Sequence, residues 1–212
     1  MDTRLINDSV QDFTTQLASR APIPGGGGAA ALCGALAAAL CAMAGNLTVG
    51  KKKYAAFEAD QQRMIARSEE LRERFLALIE ADAAAFEPLS KAYSMPKDAP
   101  GYAETMTRVT LDACRAPYEM LECCGDVITL LEEMLEKCSR LMISDVGCGA
   151  IMAAAAAQAA YLNVIINTGM LPDDEQAQRI AADSEEMLKH ALPRAKKIAD
   201  LVTDTLRRNS NG

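Results

Sequence analysis

The chain has 212 residues, of which 50% are hydrophobic and only 4% aromatic, and it contains no tryptophan. This length suits one domain with a sizeable core, which must be built from Ala, Leu, Ile and Met and so favours closely packed helices. The net charge of −7 argues against a nucleic-acid partner, because neutralising phosphates needs a basic surface.

Apolar residues recur every three or four positions along nearly the whole chain, and strand-like alternation never lasts beyond a few residues. The pattern predicts an all-α bundle of long, partly kinked helices in a single domain over residues 1–212. The predicted helices cover residues 10–18, 27–48, 55–93, 102–135, 144–167 and 173–207. Ser9 is expected to cap the first helix, and Pro88 and Pro117 to kink or interrupt theirs.

Two apolar stretches, residues 29–49 and 146–166, are about long enough to cross a bilayer. Alanine is only weakly hydrophobic, however, and Asn46, Asn163 and Asn167 interrupt them. We therefore expect two central helices of the bundle and no membrane partner. The seven cysteines form no CxxC pair and no secretory signal precedes them, which predicts reduced thiols in a cytoplasmic protein.

Four glycines in a row, Gly25, Gly26, Gly27 and Gly28, follow Pro24 and lead into an alanine-rich helix. Glycines let another molecule approach the main chain closely, and the N-terminus of the next helix offers N–H groups to a ligand. The loop is neither a P-loop nor a dinucleotide fingerprint, since no GK[ST] follows and no strand precedes it. It predicts either a small-molecule site or a tight turn that packs two helices together.

The predicted second helix ends at Lys51, Lys52 and Lys53, which Tyr54 follows. Three lysines form the strongest local positive potential in this acidic chain and would attract a ligand that carries carboxylates. The alternative is a solvated helix end, where cations suit the negative end of the helix dipole.

Acids and amides in apolar surroundings are further candidates. Asp82 lies among alanines, where an acid has reason to titrate high or to hold a lysine. Ser144 and Asp145 either cap the fifth helix or belong to a site. Asn163 and Asn167, four residues apart on an apolar helix, need partners and could bond within the helix bundle or bind the edge of a heterocycle.

The single histidine, His190, lies among lysines and arginines near the end of the chain and is predicted to be a surface residue. One histidine cannot supply a histidine-based metal cluster, and a catalytic triad built on it is difficult to assemble. The sequence therefore predicts no metal cofactor.

Six segments resemble the cyclodeaminase/cyclohydrolase family, which includes the cyclodeaminase half of formimidoyltransferase-cyclodeaminase and stand-alone methenyltetrahydrofolate cyclohydrolases. They occur in the family's order and spacing across residues 5–175. The segments are PGGG (24–27) with the alanine-rich helix, NLTVGKKKY (46–54), DAAAF (82–86), AYSMPK (92–97), ISDVG (143–147) and LNVIIN (162–167). The chain departs from the family at Gly28, where Ser is usual, and at residues 138–141, where Gly-Asn-x-Asn is usual.

The resemblance implies an all-α homodimer that binds a tetrahydrofolate derivative as its substrate in a groove near the dimer interface. The length predicts a free-standing enzyme without a fused formimidoyltransferase domain. The reaction implied is hydrolysis of 5,10-methenyltetrahydrofolate to 10-formyltetrahydrofolate, or cyclodeamination of 5-formimidoyltetrahydrofolate with release of ammonia. The alternatives are a catalytically weak folate-binding dimer and a purely structural oligomerisation module.

Within the enzyme hypothesis, each candidate residue receives a role. Asp145 or Asp82 is the general base and the counter-ion of the cationic one-carbon bridge. Lys52, or its neighbours, is the proton donor or the anchor of the glutamate carboxylate. The glycine loop holds the pterin or glutamate end, and the two asparagines of the fifth helix orient the ring.

Overall fold

The computed structural model describes residues 5–210, which are helical almost throughout and include no strand. Six α-helices carry the fold: α1 (Val10–Leu17), α2 (Gly26–Asn46), α3 (Glu58–Tyr93), α4 (Tyr102–Lys137), α5 (Ile143–Thr168) and α6 (Glu175–Ser210). Three short 3-10 helices, Leu5–Asn7, Lys52–Phe57 and Arg140–Met142, complete the connections. The predicted all-α class is confirmed, with helix boundaries within about three residues of those expected.

Local rules set some helix ends, and tertiary packing overrides others. Ser9 caps α1 as predicted, because its Oγ accepts the Asp12 N–H at 3.0 Å. The prediction that Pro117 interrupts its helix is wrong, since α4 continues through it, and α3 likewise continues through Pro88. Pro117 is buried beside the core residues Ala116 and Met120, and packing on both sides offsets the missing backbone hydrogen bond.

Helix α2 lies at the centre and packs against α3, α4 and α5. Its small residues set the spacing: a Cβ added at Gly34 would lie 2.6 Å from the Phe75 Cζ of α3, and one at Gly149 of α5 would lie 3.4 Å from the Ala37 carbonyl oxygen. Phe75 is completely buried at this contact. Alanine and glycine thus bring the central helices together more closely than large side chains would permit.

Helices α2 and α5 run antiparallel. The start of α2 lies beside the end of α5, where Gly26 contacts Asn163, and farther along the Cys33 Sγ donates to the Met152 carbonyl oxygen at 3.3 Å. At 1.5 Å per residue, the 21 residues of α2 span roughly 30 Å. We call the end that carries Gly26 and Asn163 the glycine end, and the end that carries residues 51–53 and Ser144 the lysine end.

Both α2 and the Arg140–Thr168 segment are long and apolar enough to cross a membrane by length and composition. Their apolar windows are 61% and 39% buried inside the protein, so α2 is mostly core whereas α5 keeps one face exposed. The α5 stripe is defined by exposed apolar side chains of that face together with Leu141 of the 3-10 helix just before α5: Leu141 (81% exposed), Ile151 (60%), Leu162 (61%) and Ile166 (69%). Such an exposed apolar row is a candidate interaction surface.

Candidate active site

A cavity of about 240 Å³ opens at the glycine end, between the glycine loop, α3, α4 and α5. Its walls are mostly apolar with a few polar groups, which is typical of small-molecule sites. The lining residues are Pro22, Ile23, Gly25, Gly26, Gly27, Asp82, Phe86, Leu89, Tyr93, Ala113, Asn163, Ile166 and Asn167.

Asp82 is the one charged side chain among the described residues that line this cavity. Burial raises the pKa of its carboxyl group, and a hydrogen bond from the Gly28 backbone N–H partly opposes that rise. A carboxylate that is held by one backbone donor and otherwise lies in apolar surroundings is well placed to accept a proton from a bound water or to face a cation.

Gly27 explains how the carboxylate approaches the main chain so closely. A Cβ added there would lie 2.5 Å from the Asp82 Cγ, a distance that real side chains do not tolerate. A Cβ at Gly26 would instead meet the Asn163 side-chain amide at 3.5 Å, an ordinary contact. The glycine loop therefore receives Asp82 at one specific position.

Pro24 and Gly28 belong to the predicted site but do not line the cavity. Both are buried, and a Cβ at Gly28 would lie 3.3 Å from the Pro24 Cβ and 3.8 Å from the Ile79 Cγ2. A serine at position 28 would thus face the packing between loop and helices. The departure from the family at this position leaves the cavity wall unchanged.

The two predicted amides do lie together at the cavity. The Asn163 Nδ2 donates to the Ala159 carbonyl oxygen at 2.8 Å, and the Asn167 Nδ2 donates to the Ala113 carbonyl oxygen of α4 at 3.2 Å. These bonds fix both side chains, and within the described residues neither amide oxygen accepts a hydrogen bond. Both predicted uses of these amides, helix bonding and ligand binding, are therefore compatible with the geometry.

The lysine end collects the other candidates. The Lys51 Nζ donates to the Ser139 Oγ at 3.3 Å, the Tyr54 hydroxyl accepts the Arg140 backbone N–H at 3.1 Å, and the Lys53 ammonium lies 5.7 Å from the centre of the Tyr54 ring. Lys52 is exposed, and no salt bridge joins residues 51–53 to a described acid. A cavity of about 440 Å³ adjoins this basic cluster.

Ser144 and Asp145 also lie at the lysine end, in the first turn of α5. Helix α5 begins at Ile143 with Met142 in the capping position and no side-chain cap, so the expectation that Ser144 or Asp145 caps the helix is wrong. Ser144 is exposed and Asp145 is half-buried. Asp82 and Asp145 are therefore at opposite ends of the molecule, and within one chain only one of them can serve a given substrate.

Several cavity residues escaped the sequence reasoning. Phe86, Leu89 and Tyr93 share one face of α3 with Asp82, at spacings of 4, 7 and 11 residues, so the helical period was a usable signal. Ala113 comes from α4 and carried no local signal. Elsewhere, His190 is exposed, as expected. Across residues 5–210 no group of three or more His, Cys, Asp or Glu side chains could hold a metal ion, and the absence of a metal cofactor stays a prediction.

Comparison with known proteins shows the class to which this helical chain belongs. The family profile described as formiminotransferase-cyclodeaminase matches residues 9–186, and the chain belongs to that family. The resemblance drawn from six short segments is thereby confirmed.

Particular relatives refine the comparison. The chain is 36% identical over 200 residues to a methenyltetrahydrofolate cyclohydrolase of Methylorubrum extorquens, covering 92% of this chain and 96% of that protein. It is 30% identical to the formimidoyltransferase-cyclodeaminase of Sus scrofa, but spans only 37% of that longer protein. The crystal structure of a formiminotetrahydrofolate cyclodeaminase from Thermotoga maritima superposes with a TM-score of 0.82 at 27% identity, covering 93% of this chain and 98% of that one.

Proposed function

We propose that the protein hydrolyses 5,10-methenyltetrahydrofolate to 10-formyltetrahydrofolate in the cavity at the glycine end. The observation that carries the proposal is the Asp82 carboxylate, set against Gly27 in an apolar cavity that contains no other described charge. The match to a cyclohydrolase over 96% of that protein supports this reaction over others.

The chemistry follows from the cationic carbon that bridges two nitrogens in this substrate. Asp82 faces the cation and accepts a proton from a water as the water oxygen bonds to the bridge carbon. One carbon–nitrogen bond then breaks, the nitrogen gains a proton, and the carbinol O–H loses its proton to leave a formyl group. One proton is released overall, and the buried carboxylate passes it to solvent. The Asn163 and Asn167 amide oxygens orient the ring.

The carboxylates of the substrate's glutamate tail are assigned to the basic cluster, Lys51, Lys52 and Lys53. In one chain these lysines lie roughly 30 Å from the cavity, the length of α2. A second copy of the chain would shorten this distance. If a two-fold axis passes through the middle of α5, the two copies of α5 run antiparallel, and the lysine end of one subunit lies beside the glycine end of the other.

The α5 stripe supports this homodimer. It runs from Leu141 at the lysine end to Ile166, which also lines the cavity at the glycine end. Leu36 and Met43 of the neighbouring helix α2 are exposed as well. An interface on this face would bury the exposed apolar side chains, border the cavity, and place Tyr54, Ser144 and Asp145 of one subunit near the ligand held by the other.

Mixing two variants at a substrate concentration well below KM tests the shared site, because Asp82→Asn is then inactive and Lys52→Ala is weakened. With Asp82→Asn in one subunit and Lys52→Ala in the other, each heterodimer has one fully intact site and one doubly altered site. After random exchange about a quarter of all sites are intact, so kcat/KM should rise to roughly a quarter of the wild-type value. Sites contained within one subunit would give only the average of the two variants. Analytical ultracentrifugation gives the subunit number, and a monomer, or no recovery on mixing, refutes the shared site.

A second reaction is favoured by a specific observation, the close superposition on the Thermotoga cyclodeaminase. Cyclodeamination of 5-formimidoyltetrahydrofolate passes through the same bridged carbon but needs an acid for the departing ammonia. The same cavity suits both reactions. The third possibility, a folate-binding dimer with weak catalysis, predicts binding without turnover.

Two assays run side by side decide among these reactions. Loss of methenyl absorbance above the uncatalysed rate supports the hydrolase, and ammonia release from the formimidoyl substrate supports the cyclodeaminase. Folate binding in a calorimeter with neither reaction leaves the binding protein, and no binding at all refutes the folate proposal.

The setting of the enzyme is also part of the proposal. All seven cysteines are free thiols, which suits a reducing compartment, and we place the protein in the cytoplasm on that basis. The chemistry above uses a water, a carboxylate and amides, and we propose that it runs without a metal, a nucleic acid or a membrane partner. Full activity after prolonged dialysis against a chelator is the expected outcome.

A further inference from the structure

Tyr93 lies on the cavity wall at the opposite end from Asp82. The two residues are eleven positions apart on the same face of α3, with Phe86 and Leu89 between them as an apolar floor. Their Cα atoms are roughly 16 Å apart along the helix. Both residues line the cavity, so a ligand with one edge at Asp82 extends along this floor toward Tyr93.

The Tyr93 hydroxyl has only a weak partner. It donates to the Met170 Sδ at 3.3 Å, and a thioether is a poor acceptor, so a ligand oxygen or nitrogen would replace it at little cost. Partial burial raises the pKa of the phenol, which keeps it protonated and able to donate at neutral pH. The ring is half exposed and therefore open to a ligand.

The backbone beneath Tyr93 is held in place. Leu89 and Ala92 are each only 2% exposed and pack with Val109 and Ala113 in a small apolar cluster between α3 and α4. The Ala113 carbonyl oxygen also fixes the Asn167 amide. The backbone that carries Tyr93 and the Asn167 amide are thus both held by the same part of α4.

The charge of the cavity decides which part of a folate it can hold. Asp82 is its one described charge, and a negative site disfavours a tail that ends in carboxylates. The cavity therefore suits the bicyclic ring with its cationic bridge, while the tail leads out toward positive charge. With the bridge beside Asp82, an edge of the ring lies toward Tyr93.

We propose that Tyr93 donates a hydrogen bond to an acceptor on the bicyclic ring of the bound folate, and that it is a specificity-determining residue of this site. This inference rests on the function proposed above. If Asp82 were the sole contact, the cavity would bind any compact cation. The Tyr93 hydroxyl, at the far end of the cavity, favours ligands whose ring also carries a hydrogen-bond acceptor.

The test is Tyr93→Phe, which keeps the ring and removes only the hydroxyl. Because the side chain is half exposed and its partner is a sulfur atom, the variant should fold as the wild type does, which circular dichroism checks. We expect the KM for methenyltetrahydrofolate to rise about tenfold with kcat within about twofold, since a ligand acceptor loses its partner. Tyr102→Phe, at the start of α4 and outside the cavity, is the matched control and should change neither constant.

Two fragments identify the part of the ligand that Tyr93 contacts. The inhibition constant of 6-methyltetrahydropterin, which is the ring alone, should rise about tenfold in Tyr93→Phe. That of p-aminobenzoylglutamate, which is the tail alone, should stay unchanged. An effect confined to the tail fragment, or a loss of kcat with KM unchanged, overturns the proposal.

The outcome is separable from that of the proposed function. If the wild type neither turns over nor binds folates, the proposed function fails and takes the inference with it. If the wild type is active and Tyr93→Phe matches it in KM and in both inhibition constants, only the role of Tyr93 is refuted.

Discussion

The two ends of the bundle use charge in opposite ways. At the glycine end, a single carboxylate, Asp82, is partly withdrawn from water, bonded to one backbone N–H and packed against Gly27. At the lysine end, three cations at residues 51–53 are exposed and lack described salt bridges. Both ends belong to the same helix α2, whose first residues contact the acid and whose last turn leads to the lysines.

This difference in the burial of the charged groups indicates which end can perform acid–base chemistry and which can attract an anionic ligand. A carboxylate in an apolar cavity has an altered proton affinity and a fixed position, as acid–base catalysis requires. Exposed lysines have neither property, but they create a long-range field that captures anions and weakens with salt. We therefore expect changes at Asp82 and at its contact with Gly27 to lower kcat, and changes at the three lysines to raise KM.

The largest effect is expected from Asp82→Asn. Loss of the general base should lower kcat roughly a thousandfold, a much larger change than any in KM, measured by the decay of methenyl absorbance. Because only the ionised carboxylate accepts a proton, wild-type activity should fall as the pH drops through the pKa of Asp82, which burial raises. A variant that retains its rate would assign the chemistry to Asp145 and the other end.

Gly27→Ala should have the next largest effect. The added methyl group takes the space of the Asp82 carboxylate, and a displacement of about 1 Å can cost roughly a hundredfold in kcat. Gly125→Ala, in α4 with nothing within 4 Å of the new Cβ, is the matched control for adding a methyl to a helical glycine. Equal activity in the two variants would show that the contact between loop and acid does not position the base.

Replacing Lys51, Lys52 and Lys53 together by alanine should raise KM about tenfold and leave kcat unchanged. High salt should raise the wild-type KM toward that of the variant, because the interaction is exposed and screened. The control is the double change of Lys196 and Lys197 to alanine, two exposed lysines on α6. A fall in kcat would instead give the lysine run a part in proton transfer.

The smallest effect concerns stability and separates Asp82 from an ordinary surface acid. A carboxyl group with a raised pKa stabilises the fold below its unfolded pKa, and this contribution is lost as the pH rises through its folded pKa. Asp82→Asn should therefore raise Tm relative to the wild type at pH 7 but not near pH 4, in thermal unfolding followed by circular dichroism. Asp173→Asn, at an exposed position, is the control, and a gain that is the same at both pH values would contradict burial as the cause.

Individual residues show which features of the fold and the site could be predicted from the sequence. The spacing of Leu71, Phe75 and Leu78 predicted α3, and Ser9 predicted the start of α1. Both signals depend on residues that lie within one or two helical turns of each other. Continuity through Pro117 was not predictable, since it depends on neighbours that are distant in sequence. Asp82, Asn163 and Asn167 were suspected individually, but only the fold shows that they share one cavity.

The sequence by itself determined the helices, the all-α class and the family, because periodic burial, capping and short motifs are properties of local sequence. Only the tertiary structure shows that the predicted site residues fall into two groups, one at the glycine end of the bundle and one at the lysine end. Residues 28 and 82, far apart in the chain, meet because the α2–α3 packing brings a backbone N–H to a carboxylate. The packing of α3 against α4 likewise places Tyr93 and Ala113 on one cavity, since it depends on which side chains meet between the helices and not on their order in the sequence.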